Sequence, residues 1–143
     1  MNHGYQEKTI QSLFQNNKEN AFVALYASGI NNIVIKFDGY ADNGQIDEWE
    51  IELKGGDYIY DSNLLPQVSV KRTVLHCDQA QPHQSQIVLA RAVEELCYDL
   101  LDESYSGWGN NDGSYGTFVF DVEDGTITLE HNRRSVETTT VEA

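Results

Sequence analysis

Apolar positions along the chain fall into groups with two different periods. Residues 7–28 read as helical, because Ile10, Leu13 and Phe14 keep helical spacing, as do Ala21, Phe22, Leu25 and Tyr26. The polar run Asn16-Asn17-Lys18-Glu19-Asn20 between them leaves one helix or two open. Gly29 suits the C′ position that ends such a helix. Over 32–53 the period becomes two. Ile33, Ile35 and Phe37 alternate with Val34, Lys36 and Asp38, and Trp49, Ile51 and Leu53 alternate with Glu48, Glu50 and Glu52. Asp42-Asn43-Gly44 between the two runs predicts a β-hairpin, and Gly39 predicts a bulge or a close backbone approach.

Residues 54–84 are harder to read. Gly55-Gly56 and Pro66 break the pattern, Val68 and Val70 predict a short strand running toward Leu75, and 79–86, with Pro82 inside, reads as a loop. A helix follows over 85–103, with Ser85 as its cap and Leu89, Val93, Leu96, Cys97 and Leu100 as one apolar stripe. Arg91 and Glu95 lie one turn apart on it. Residues 115–133 predict a second hairpin, in which Phe118, Phe120 and Val122 answer Ile127 and Leu129 across an Asp124-Gly125 turn. The Thr-rich stretch 135–143 lacks periodicity and is expected to fray. The order α-ββ-(β)-α-ββ predicts one α+β domain over 1–134, an antiparallel sheet of four to five strands with helices on one face, and a flexible tail over 135–143.

Charge changes the picture most. The 143 residues hold 23 Asp+Glu against 9 Lys+Arg, a formal net charge of −14. Direct nucleic-acid binding needs a basic footprint, and docking on anionic lipid needs basic clusters, so both are excluded as expectations. A basic partner would be drawn in at low salt. No apolar run approaches the ~20 residues of a membrane span. Neither a signal-peptide pattern nor a disulfide framework is visible, because Cys77 and Cys97 stand alone, so a reducing cytoplasm is the simplest compartment.

Two segments are dense in Gly, Asn, Asp and aromatic residues: Phe37–Asp47 and Gly107–Gly116. Turns alone need such residues, but so do binding loops, which leaves Asp38, Tyr40, Asp42, Gln45, Trp108, Asn110, Asn111, Asp112 and Tyr115 as a candidate ligand site. Aligned as an EF-hand, the first segment puts Gly39 and Ala41 where side-chain oxygens are required, so that motif is rejected. His76, Cys77 and His83 lack zinc-ligand spacing. Phosphate loop, nucleophile elbow and dinucleotide fingerprint are all missing, and neither catalytic residues, a metal nor a cofactor is assigned.

The stretches FDGYADNGQID (Phe37–Asp47) and GWGNNDGSYGTFVFDVEDGTITLEHN (Gly107–Asn132) resemble a bacterial family known as domain of unknown function 6878. The resemblance covers most of 20–133. It departs at Ala41, where the family tends to have Gly, and at the C-terminus, which lacks the family's aromatic and His-rich continuation. It implies a single small domain of helix, hairpin, variable middle, helix and final hairpin. It also implies an accessory gene of mobile elements, with dealings in host defence or DNA maintenance, and it transfers no catalytic residue.

The expected function is therefore a small acidic binding protein that engages or inhibits a basic host protein, such as a nuclease or defence effector, as a nucleic-acid mimic. Its expected acidic face comprises Glu48, Glu50, Glu52, Glu95, Asp99 and Asp102. Two alternatives stay open. One is an enzyme, metal binder or small-ligand binder built on the loops around Asp38 and Asp112. The other is a homo-oligomeric subunit, such as a homodimer, which an apolar outer sheet face would favour over a polar one.

Overall fold

The computed structural model describes residues 3–40, 43–74, 81–104, 114–133 and 138–142, with side chains over 12–38, 48–74, 81–101, 115–132 and 140–142. Helix α1 spans His3–Ala27 and is continuous through the polar run that left one helix or two open. It stops where expected: Gly29 adopts φ +77°, a left-handed conformation that side chains disfavour, and its N–H donates to the Tyr26 carbonyl at 3.1 Å. The first hairpin follows as β1 (Ile30–Tyr40) and β2 (Asn43–Leu53). Its register has two irregularities. One extra residue, Asn31, enters β1 between Ile30 and Asn32, and another, Asp47, enters β2 opposite the Lys36–Phe37 step. The bulge expected at Gly39 is therefore displaced; Gly39 pairs in register with Gly44.

A short strand β3 (Tyr58–Ile59) turns back onto the end of β2, and a 3₁₀ turn (Ser62–Leu64) follows. The middle of the chain then forms a hairpin of its own, β4 (Ser69–Val74) with β5 (His83–Val88). Residues 83–86, expected as loop, are strand, and Ser85 pairs with Arg72 rather than capping a helix. Helix α2 begins later than expected and spans Leu89–Ser104. Strands β6 (Ser114–Asp121) and β7 (Thr126–Arg133) form the second expected hairpin, closed by Gly125 N–H to Asp121 O at 2.8 Å. The segment expected to fray contributes a last strand, β8 (Thr138–Glu142), paired with β7.

The fold is α+β. One antiparallel sheet runs β3-β2-β1-β6-β7-β8, and β4-β5 is a separate two-stranded sheet. The large sheet exceeds the expected four to five strands because β3 and β8 extend it at its two edges. Alternation decides its faces. Ile33, Ile35, Phe37, Trp49, Ile51, Phe118, Phe120, Ile127 and Leu129 are all buried. Helix α1 packs on this inner face, with Phe22 edge-on to Phe120 at 5.9 Å and 72°. The whole predicted stripe of α2 is buried in the same core. Gly116 also belongs to the inner side, where a Cβ would overlap the Glu130 carbonyl oxygen and lie 2.9 Å from the Phe37 ring.

The polar run of α1 has a purpose that periodicity cannot show. Asn17 is buried and reads the backbone of β4 as a neighbouring strand would. Its Nδ2 donates to Thr73 O at 2.9 Å, and its Oδ1 accepts from Thr73 N–H at 2.8 Å. Asn20, one turn on, donates to Lys71 O at 3.2 Å. Two helical amides thus satisfy the edge of β4 that β5 leaves open.

Candidate functional site

The side of the large sheet opposite α1 is solvent-exposed, and strand pairing collects carboxylates on it. Along β2, Glu48, Glu50 and Glu52 alternate with the buried Trp49 and Ile51, so all three share the outer face as expected. Register then adds residues from distant parts of the chain. Asp121 lies opposite Asn32 on β6, Glu130 lies opposite Thr117 on β7, and Glu142 lies opposite Thr128 on β8. None of these three belongs to the acidic face expected from sequence. The alternation of 117–121 and 126–133 holds a signal for the first two, whereas Glu142 depends on a strand that periodicity does not reveal. Among the described residues, Lys36 is the one cation on this face. Its Nζ lies 3.7 Å from Glu48, with both side chains well exposed, so the pair adds little stability.

The strand carboxylates are not equivalent. Glu52 is held by three donors: Asn31 Nδ2 at 2.9 Å, Asn32 Nδ2 at 2.5 Å and Tyr58 Oη at 3.2 Å. The extra residue at Asn31 lets two successive asparagines reach one carboxylate oxygen. The charge on Glu52, and then the hydrogen bond to it, push the Tyr58 phenol above its ordinary value. Glu50 is exposed and takes no hydrogen bond or ion pair among the described residues.

The expected acidic positions on α2 do not join this face. They belong to the helical layer behind the sheet, and arginines pair with two of them, Glu95 and Asp99. Arg72 of β4 grips Asp99 through two bonds of 2.9 and 3.0 Å and lies 3.8 Å from Glu95, while Arg91 Nε donates to Glu95 at 2.9 Å. This network ties β4 to α2 and neutralises charge locally, because a guanidinium matches a carboxylate in two-point geometry. Asp102 lies on α2, with its side chain outside the described residues. Cys97 is fully buried, and burial raises its thiol well above the usual value, which suits a packing role over a nucleophilic one.

Pairing of β1 with β6 brings the two glycine- and aromatic-rich segments together. Asp38 lies opposite Gln45 on one side and Tyr115 on the other, and Gly39 lies between Gly44 and Ser114. Tyr40 ends β1 opposite Asn43. A shallow concavity of about 450 Å³ opens here on the outer face, lined by Lys36, Asp38, Glu48, Tyr115, Glu130 and Asn132 among others. Asp42, Trp108, Asn110, Asn111 and Asp112 lie outside the described residues. Among those described, no three His, Cys, Asp or Glu side chains group as a metal site would require.

A family model matches residues 13–142, nearly the whole chain and both segments that meet at Asp38 and Tyr115. The chain belongs to DUF6878, a family of unknown function. No curated protein and no solved structure matches it. No helix among the described residues of this DUF6878 member is long and apolar enough to cross a membrane.

Proposed function

We propose that this DUF6878 protein is a small acidic binding protein that presents the uncovered face of its large sheet to a basic protein. The observation that carries this reading is the convergence of Glu48, Glu50, Glu52, Asp121, Glu130 and Glu142, from four strands, on one exposed face with Lys36 as the opposing cation. An apolar face would have favoured self-association, whereas a carboxylate face recruits a basic surface and repels a second copy. Along β2 successive outer carboxylates lie about 6.5–7 Å apart, comparable to the step between phosphates on an extended strand. The fitting partner is thus a host protein that itself grips nucleic acid, a nuclease or defence effector, encountered in the cytoplasm by a product of a mobile element.

The test is capture of partners from host lysate by the wild-type protein and by a Glu48→Gln/Glu50→Gln variant, at low and high salt. A basic nucleic-acid-handling protein should be retained by the wild type, released by salt or by added DNA, and lost by the variant. Retention indifferent to salt and to both substitutions would refute the proposal. A second reading, a small-ligand or catalytic site around Asp38, is favoured by the concavity beside Tyr115. It predicts that Asp38→Asn abolishes function in the cell while leaving salt-sensitive capture intact.

A further inference from the structure

Strand β2 is 11 residues long, yet β3 covers only its last part, pairing at Ile51 with Ile59 and at Glu52 with Tyr58. The Leu53 N–H donates to Asp57 O at 2.8 Å, so the backbone groups of Leu53 point to the β3 edge. At period two, those of Ile51 and Trp49 point the same way. Ile51 meets β3, but among the described residues no strand lies against β2 from Asn43 to Glu50. An open edge of this kind is a template for an added strand. Natural edges are often guarded by Lys or Pro, and residues 43–50 contain neither. The extra residue at Asp47 and the charges of Glu48 and Glu50 are the guards among the described residues, and the bulge leaves the stretch from Glu48 onward regular up to β3.

Side chains on this edge specify the occupant. Glu48 and Glu50 flank Trp49, stand on the outer face and are exposed. Beyond them Tyr58 and Tyr60 stack on each other at 6.4 Å and 15°, both exposed, and Tyr58 is bonded to Glu52. Alternating carboxylates followed by aromatic faces suit guanidinium groups, which pair with carboxylates and lie flat on rings. The opposite edge of the sheet, β8, offers Thr140 and a single carboxylate, Glu142, with no aromatic side chain in its sequence.

Building on the basic-partner reading above, we infer that the open edge of β2 accepts an extended segment with arginines at alternate positions, which adds to the sheet as a strand. The backbone of Trp49 supplies the new ladder bonds, and Glu48 and Glu50 meet the arginines on the outer face. The probes are two synthetic decapeptides of equal charge, one alternating Arg and Thr and one alternating Arg and Pro. Proline removes the N–H that a ladder needs and leaves the charge untouched.

Each peptide is titrated at low salt into isotope-labelled protein and followed by backbone amide shifts. The Arg/Thr peptide should bind at least tenfold more tightly than the Arg/Pro peptide and should shift the Trp49 and Ile51 amides before those of β8. Glu48→Gln/Glu50→Gln should weaken the Arg/Thr peptide about tenfold. Equal affinity for the two peptides, or shifts confined to β8, would overturn strand addition while leaving the acidic-face reading standing. Binding of neither peptide would overturn both.

Discussion

The two faces of the large sheet are built from the same strands and share every backbone hydrogen bond, yet they do opposite things. On the inner face, Phe37 and Phe118 lie 5.3 Å apart, and Phe118, Phe120 and Ile33 are shut off from water. On the outer face, the alternate positions carry Glu48, Glu50 and Glu130, left in solvent, and a half-buried Asp38. Period two lets one strand carry both roles, because neighbouring side chains never share an environment. Stability therefore resides in one set of alternate positions and the surface charge in the other. Changes to one set should leave the other set's property nearly untouched.

The inner face should give the largest response. Phe118→Ala removes a fully buried ring from the centre of the sheet and should cost about 3–5 kcal/mol in chemical denaturation. A cost near zero would break the comparison at its strongest point. Next in size is the joint between α1 and the small hairpin. Asn17→Ala leaves both backbone groups of Thr73 without their partner and should cost about 1–3 kcal/mol. Hydrogen exchange should show the loss concentrated in β4 and β5, with the large sheet nearly unchanged.

Outer-face changes should be smaller in stability and larger in recognition. Glu48→Gln/Glu50→Gln should shift unfolding by no more than about 0.5 kcal/mol, since both side chains are exposed and Lys36 is a weak partner. A large destabilisation by this variant would mean that the outer carboxylates are structural after all. The smallest effect concerns Tyr58. Its phenol is raised in the folded state by Glu52, so the contact it makes is fully present below the ordinary tyrosine value and is lost as pH rises through the folded one. Ultraviolet titration of phenolate should show this tyrosine ionising late. Glu52→Gln should bring it back toward the ordinary value.

How much of this was legible beforehand depends on whether a signal is local. The two large hairpins, the buried stripe of α2 and the Glu48-Glu50-Glu52 row follow from periodicity, because each buries one side of a regular element. Strand β5 carries no periodic signal because His83-Gln84-Ser85-Gln86 is polar on both sides. It is exposed along most of its length and owes its form to backbone pairing with β4. Asn17 and Asn20 looked like a helix interruption, since the strand edge they satisfy lies more than 50 residues away. The Arg91–Glu95 pair is local and legible as an i,i+4 spacing, whereas the engagement of Asp99 is not, for the same reason. Arg72, which grips Asp99 and also approaches Glu95, is near them only in space.

From its own residues the chain dictates an α+β composition, the faces of its principal strands and helices, and a strongly acidic balance. These follow from side-chain period and charge, which need no knowledge of neighbours. Tertiary structure alone decided which carboxylates remain on an open face and which are spent on arginines. It also decided that Asp38 sits beside Tyr115 and that β2 keeps a free edge. Those outcomes depend on strand order and register, and both are set by contacts between segments far apart in the chain.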